Sequence, residues 1–128
     1  MPSCTLLYRG KCNLKIVVDI HGVEKEISVL VDTGFTSETG YGLQLPSSYA
    51  NYAISTGTGY VMVADGREVA AASIPDAKIV QIDTHRLKHA IPIPALFMGG
   101  PDGTVGVLIL QRMSASFDGP KKVVTLTF

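Results

Sequence analysis

Only two cysteines, Cys4 and Cys12, occur in 128 residues. Their spacing matches no zinc motif, and no third or fourth ligand lies near them in sequence. They could pair with each other, but a reduced, intracellular chain is the plainer expectation. Net charge is also missing, because eleven basic residues cancel eleven acidic ones. Such a chain offers no overall field for nucleic acid or an anionic membrane. Charged residues make up 17% and hydrophobic residues 46%, which excludes a disordered charged tail. No apolar run approaches the roughly 20 residues of a membrane span. Val107–Leu110 is short, Ala90–Met98 holds two prolines, and Leu6-Leu7 falls far below a signal-peptide core. A cytoplasmic protein is expected. Repeats, low-complexity segments and linkers are absent as well, so residues 1–128 read as one domain. At this length, area scaling leaves about 6,500 Å² exposed of about 20,000 Å², enough burial for a core without staples.

What the chain does have is period-two alternation. Leu14, Ile16, Val18 and Ile20 alternate with Lys15, Val17, Asp19 and His21, as in a half-buried strand. After His21-Gly22 the pattern resumes from Glu24 to Val31, which predicts a hairpin. Ser3–Tyr8 reads as an earlier strand. Beyond Asp32 the chain turns small and polar through Gly42, and Pro46-Ser47-Ser48 could open a brief helix through Ala53. Tyr60–Ala64 and Arg67–Ala72 flank Asp65-Gly66, a two-residue hairpin signal. Lys78–Ile82 is a further strand, Asp83–Lys88 a polar connection, and His89–Met98 a strand with two prolines. Val107–Met113 fits either a strand or a short helix. Ser114–Asp118 and Val123–Phe128 close the chain as strands. The class is all-β, a small barrel or folded sheet with one short helix.

The sharpest local feature is Leu30-Val31-Asp32-Thr33-Gly34, in which an apolar strand delivers a carboxylate, a hydroxyl and a glycine into a turn. Asp and Gly are common turn residues, so the tripeptide alone also fits an ordinary strand end. About thirty residues later comes the Val61–Val69 hairpin. Near the C-terminus, Thr104-Val105-Gly106-Val107-Leu108-Ile109-Leu110 opens an apolar segment on a glycine, followed by Val123–Phe128. This order, from about Cys12 to Phe128, resembles the retropepsin-like aspartic proteases, and most closely their prokaryotic single-lobed members.

The resemblance implies a closed or folded retropepsin-like β-barrel with a flap hairpin and one short C-terminal helix. It implies a homodimer, since the chain carries one Asp-Thr-Gly and is too short for two lobes. It implies Asp32 as the catalytic residue, Thr33 and Gly34 as its support, and no metal or organic cofactor. An extended peptide or unfolded protein would be the substrate, lying against Gly34, Phe35, Val63, Ala64, Asp65, Gly66, Val105 and Gly106. The flap tip falls at Asp65-Gly66 or, alternatively, at Gly57-Thr58-Gly59. The terminal strands Ser3–Tyr8 and Val123–Phe128 would interleave with those of a second subunit.

The chain departs from the family pattern in several places. Phe35 stands where Ala or Ser is usual. Thr36 and Val107 replace an acidic residue and an arginine that pair near the dimer interface, so both charges go together and neither is left unpaired. Leu108 replaces an Asn or Asp, and Thr104 an apolar residue. These departures motivate an alternative: a non-catalytic dimerisation or peptide-binding module of the same fold. His85 and His89 have no carboxylate at metal-ligand spacing, Ser47-Ser48 lacks a nucleophile-elbow frame, and Lys121-Lys122 reads as a turn pair.

Overall fold

The computed structural model describes residues 2–7, 12–32, 42–46, 49, 54–62, 68–74, 76–92, 95–97 and 103–128. Its first long strand shows how alternation becomes a core. In β2 (Asn13–Ile20), Leu14, Ile16, Val18 and Ile20 are all buried, while Asn13 and Lys15 face solvent. Successive side chains of a strand point to opposite faces, so this spacing places every aliphatic group on one side. Each such burial contributes about 1.5–3 kcal/mol. His21 and Gly22 both adopt positive φ, 53° and 85°, as a type I′ turn requires. Asp19 Oδ1 accepts the Gly22 N–H at 2.9 Å and closes the turn into β3 (Val23–Val31).

The other edge of β2 pairs with β7 (Ala77–Ile82), and β7 pairs with β8 (His85–Pro92). A flat sheet would hold β3 and β8 about 14 Å apart, three strand spacings. Yet Arg86 of β8 grips Glu24 of β3 with two hydrogen bonds, 2.6 and 2.5 Å long. The long Arg and Glu side chains thus reach across the two strands between them. Hydrogen bonding from Arg86 holds the Glu24 carboxyl below the ordinary carboxylate range.

Beyond β3 the sheet continues through β10 (Gly103–Val105), β4 (Leu43–Leu45), β9 (Ala95–Phe97), β6 (Glu68–Ile74) and β5 (Ile54–Met62). A single helical turn, α1 (Val107–Leu110), follows β10 and drives Ile109 into the core. A second, three-stranded sheet has the order β1 (Ser3–Leu7), β12 (Val123–Thr127), β11 (Ser114–Asp118). Its Cys4, Val124 and Leu126 join the same core cluster as Leu14, Ile79 and Val105.

Several expectations are corrected. The described strands form an open nine-stranded sheet with β5 and β8 at its ends, not a closed barrel. The C-terminal helix amounts to four residues, one turn. Gly57-Thr58-Gly59 lies inside β5, so it is not a hairpin tip. The β5–β6 connection falls instead at residues 63–67, outside the described residues, together with the Asp65-Gly66 tip. Asp83, at φ 53°, makes the β7–β8 turn short, and β8 starts at His85 rather than at His89. The strand expected across His89–Met98 is two strands, because β8 pairs with β7 whereas β9 pairs with β4 and β6. Of the helix expected from Pro46 to Ala53, only Pro46 and Tyr49 are described, joined by a Tyr49 N–H to Pro46 carbonyl bond of 3.0 Å. The terminal strands do not wait for a second subunit: β12 is flanked on both sides, by β1 and β11 of its own chain. Among the described residues, no helix is long and apolar enough to cross a membrane.

Burial raises the pKa of both thiols above the ordinary range, and Asp83 and Cys12 add to the effect at Cys4. The folded state thus favours protonated thiols. Their contribution to stability is complete below about pH 8.5 and is lost as pH rises through the raised folded values. The urea midpoint of wild type should fall more steeply from about pH 8 to about pH 10.5 than that of Cys4→Ala/Cys12→Ala. Parallel slopes would show that the thiols are not linked to folding.

Candidate active site

Asp32 is the first residue past β3, and it is exposed. The aliphatic run before it is held in the sheet, so the strand must end where the carboxylate begins. Three backbone contacts set that end. Val31 donates its N–H to the Cys12 carbonyl at 2.8 Å, and Asp32 donates its own to the Val105 carbonyl at 3.0 Å. On the far side of the 33–41 segment, Gly106 donates its N–H to the Gly42 carbonyl at 3.0 Å. Two successive residues, Val105 and Gly106, therefore fasten both ends of the segment that begins at Asp32.

This clamp depends on topology. β10 is inserted between two strands that follow one another in sequence, β3 and β4. It runs parallel to β3, with Val105 opposite Val31, and antiparallel to β4, with Val105 opposite Leu43. Leu43, Leu45, Val29 and Val105 are all fully buried, so the junction is anchored on apolar contacts as well as on the ladder. Gly106 then turns the chain, its carbonyl accepting the N–H groups of Ile109 and Leu110 at 3.1 Å each.

Of the residues expected to form the site, Asp32, Val105 and Gly106 come together here. Val105 has no exposed surface, so its part is played by its carbonyl and not by a side chain presented to a substrate. Thr33, Gly34, Phe35, Val63, Ala64, Asp65 and Gly66 lie outside the described residues. Sequence reasoning missed Cys12, Gly42 and Gly103 as participants. Only Leu43-Gln44-Leu45 carried a signal, an apolar alternation too short to read as a strand. Among the described residues, no three His, Cys, Asp or Glu side chains converge as a metal-binding group.

The arrangement can be set beside known proteins. No family model matches the chain, and no curated protein matches it. Among solved structures it is similar to the crystal structure of a retropepsin-like aspartic protease from Rickettsia conorii. The TM-score is 0.58 at 17% sequence identity, over 99% of this chain and 90% of that one. The fold is retropepsin-like. At that identity the likeness is one of overall fold.

Gly103 tests the clamp. A Cβ built there would sit 2.9 Å from Val29 Cγ1 and 3.1 Å from the Gln44 carbonyl oxygen, so both flanking strands would be pushed outward. Gly103→Ala should lower stability by about 1–3 kcal/mol, measured by urea unfolding. A neutral result would show that β10 is not tightly held.

Proposed function

We propose that this protein is an aspartic endopeptidase acting as a homodimer, with Asp32 of each subunit forming one catalytic pair. One observation carries the reading: the exposed Asp32 opens an Asp-Thr-Gly at the clamped end of β3 in a retropepsin-like fold. The backbone bonds of Asp32 to Val105 and of Gly106 to Gly42 hold the carboxylate on a fixed strand end, as a catalytic group requires. With one Asp-Thr-Gly per chain, a carboxylate pair needs a second copy related by a twofold axis.

Two carboxylates about 3 Å apart do not both ionise, so they share a proton. The ionised member takes a proton from a bound water, which attacks the peptide carbonyl. The protonated member hydrogen-bonds the carbonyl oxygen and later helps to protonate the leaving nitrogen. The two titrate as one unit. Thr33 braces the pair across the dimer, and the Gly34 carbonyl accepts a substrate N–H. Phe35 and residues 63–66 are assigned to binding an extended peptide that pairs as an added strand. The chemistry calls for no metal or organic cofactor, and the protein works in the cytoplasm on unfolded or extended polypeptide.

The terminal sheet supports a second copy. In antiparallel pairing, opposed residues share a face. Leu6, Val124 and Phe117 are opposed across the sheet, as are Cys4, Leu126 and Ala115. Cys4, Val124 and Leu126 face the core, yet Phe117 on the same face is 75% exposed. The apolar face thus runs past the core of its own subunit, and we assign the overhang to the partner.

Two measurements test this reading. Wild type should cleave an unstructured protein between about pH 4 and about pH 7, the range around dyad titration, while folded Asp32→Asn should not. Equal cleavage by both would remove Asp32 from the mechanism. Cleavage by neither, with a dimer still formed, would favour a peptide-binding module. Separately, Phe117→Glu should yield monomers by sedimentation and lose activity by at least about tenfold, since burying a charge in an interface costs more than about 1.4 kcal/mol. An active monomer would contradict the shared site.

A further inference from the structure

The chain's two thiols belong to different sheets but to one core cluster. Cys4 lies on the inner face of β1, opposite Leu126. Cys12 directly precedes β2 and continues the buried alternation of Leu14 and Ile16. Both are free thiols, 5% and 6% exposed. The turn between β7 and β8 holds their neighbourhoods together. His85 donates from Nε2 to the Ser3 carbonyl at 3.1 Å, beside Cys4. Two residues earlier, Asp83 donates its N–H to the Lys15 carbonyl at 2.7 Å, three residues after Cys12. The start of β1 and the start of β2 are thus fastened to the same three-residue stretch. Cys12 and Asp83 both act on the Cys4 thiol electrostatically, as this placement requires.

We propose that Cys4 and Cys12 form a reversible disulfide that staples the terminal sheet to the strand pair ending at Asp32. The oxidant is a low-molecular-weight disulfide such as oxidised glutathione. The Cys4 thiolate attacks one of its sulfurs, forming a mixed disulfide and releasing one glutathione thiolate. The Cys12 thiolate then attacks the Cys4 sulfur and expels the second glutathione. Two protein thiols are oxidised, one small disulfide is reduced to two thiols, and the two protons pass to the departing thiolates. Access to Cys4 comes from β1 itself, an edge strand that among the described residues pairs in its sheet only with β12, so opening a single ladder frees the Cys4 sulfur. The staple reaches the site through one residue, because the Cys12 carbonyl holds the N–H of Val31, next to Asp32. The inference does not rest on the protease reading.

The full chain is incubated with oxidised glutathione near pH 8.5, where a thiolate fraction is present (about the free thiol pKa). It is then alkylated, cut with trypsin and weighed. The expected product joins peptide 1–9 to peptide 12–15 within one chain, with both thiols lost and both restored by dithiothreitol. The unfolding equilibrium constant of the oxidised chain should fall by at least about tenfold. In Cys12→Ser the reaction should stop with one glutathione on Cys4. Wild type that stops at glutathione adducts, keeps two free thiols, or links only between chains overturns the proposal.

Discussion

Everything at the site depends on one three-residue strand. β10 arrives from late in the sequence and lies between β3 and β4, which the chain made some sixty residues earlier. Without it, β3 would be an edge with its C-terminal amides turned to water, and Asp32 would sit on a fraying end. With it, the Asp32 N–H and the Gly42 carbonyl are held by adjacent residues. The cost is steric. A strand threaded between two others leaves no room for a side chain at its first residue, hence Gly103 against Val29 and Gln44. A buried backbone with unmade hydrogen bonds is expensive, so the ladder and the glycine come as a set.

The remaining structure supports that strand from two directions. The β2–β3–β7 layer supplies a dry face of Leu14, Ile16, Val18, Ile79 and Ile82, on which the buried Val29 of β3 also packs. Arg86 of β8 reaches Glu24 of β3 across this layer. An exposed ion pair of this kind adds little stability by itself. The terminal sheet covers the opposite side of the core with Cys4, Val124 and Leu126 and leaves Phe117 outside.

Much of this was legible from residues alone, and the divide is physical. β2 and β3 read clearly because each is long, alternating and joined by a glycine turn. β11 and β12 are shorter and read from apolar and β-branched residues on either side of Gly119-Pro120. Asp32 was legible because an apolar strand running into Asp-Thr-Gly is a local pattern. What sequence could not show is pairing between distant segments. Gly103–Val105 gave no strand signal because three residues carry no period, and its strand state comes wholly from its neighbours. His89–Met98 looked like one strand because its apolar character is continuous, although the chain passes from β7's side to β4's side within it. The short β7–β8 turn was hidden because its positive φ falls on Asp83 rather than on a glycine.

The pairing of β1 with β12 has a consequence for how the protein folds. Ser3 lies opposite Thr127, and Phe128 donates its N–H to the Pro2 carbonyl at 3.0 Å. β1 therefore has no partner in this sheet until β12, far later in sequence, reaches it. Contacts this far apart in sequence form late and slowly, because nearly the whole chain must be ordered before they close. Until then Cys4 and Leu6 lie without their cover. The β2–β3 and β7–β8 hairpins join segments adjacent in sequence, whereas the terminal sheet joins the two most distant ones, so its closure carries the largest loop cost.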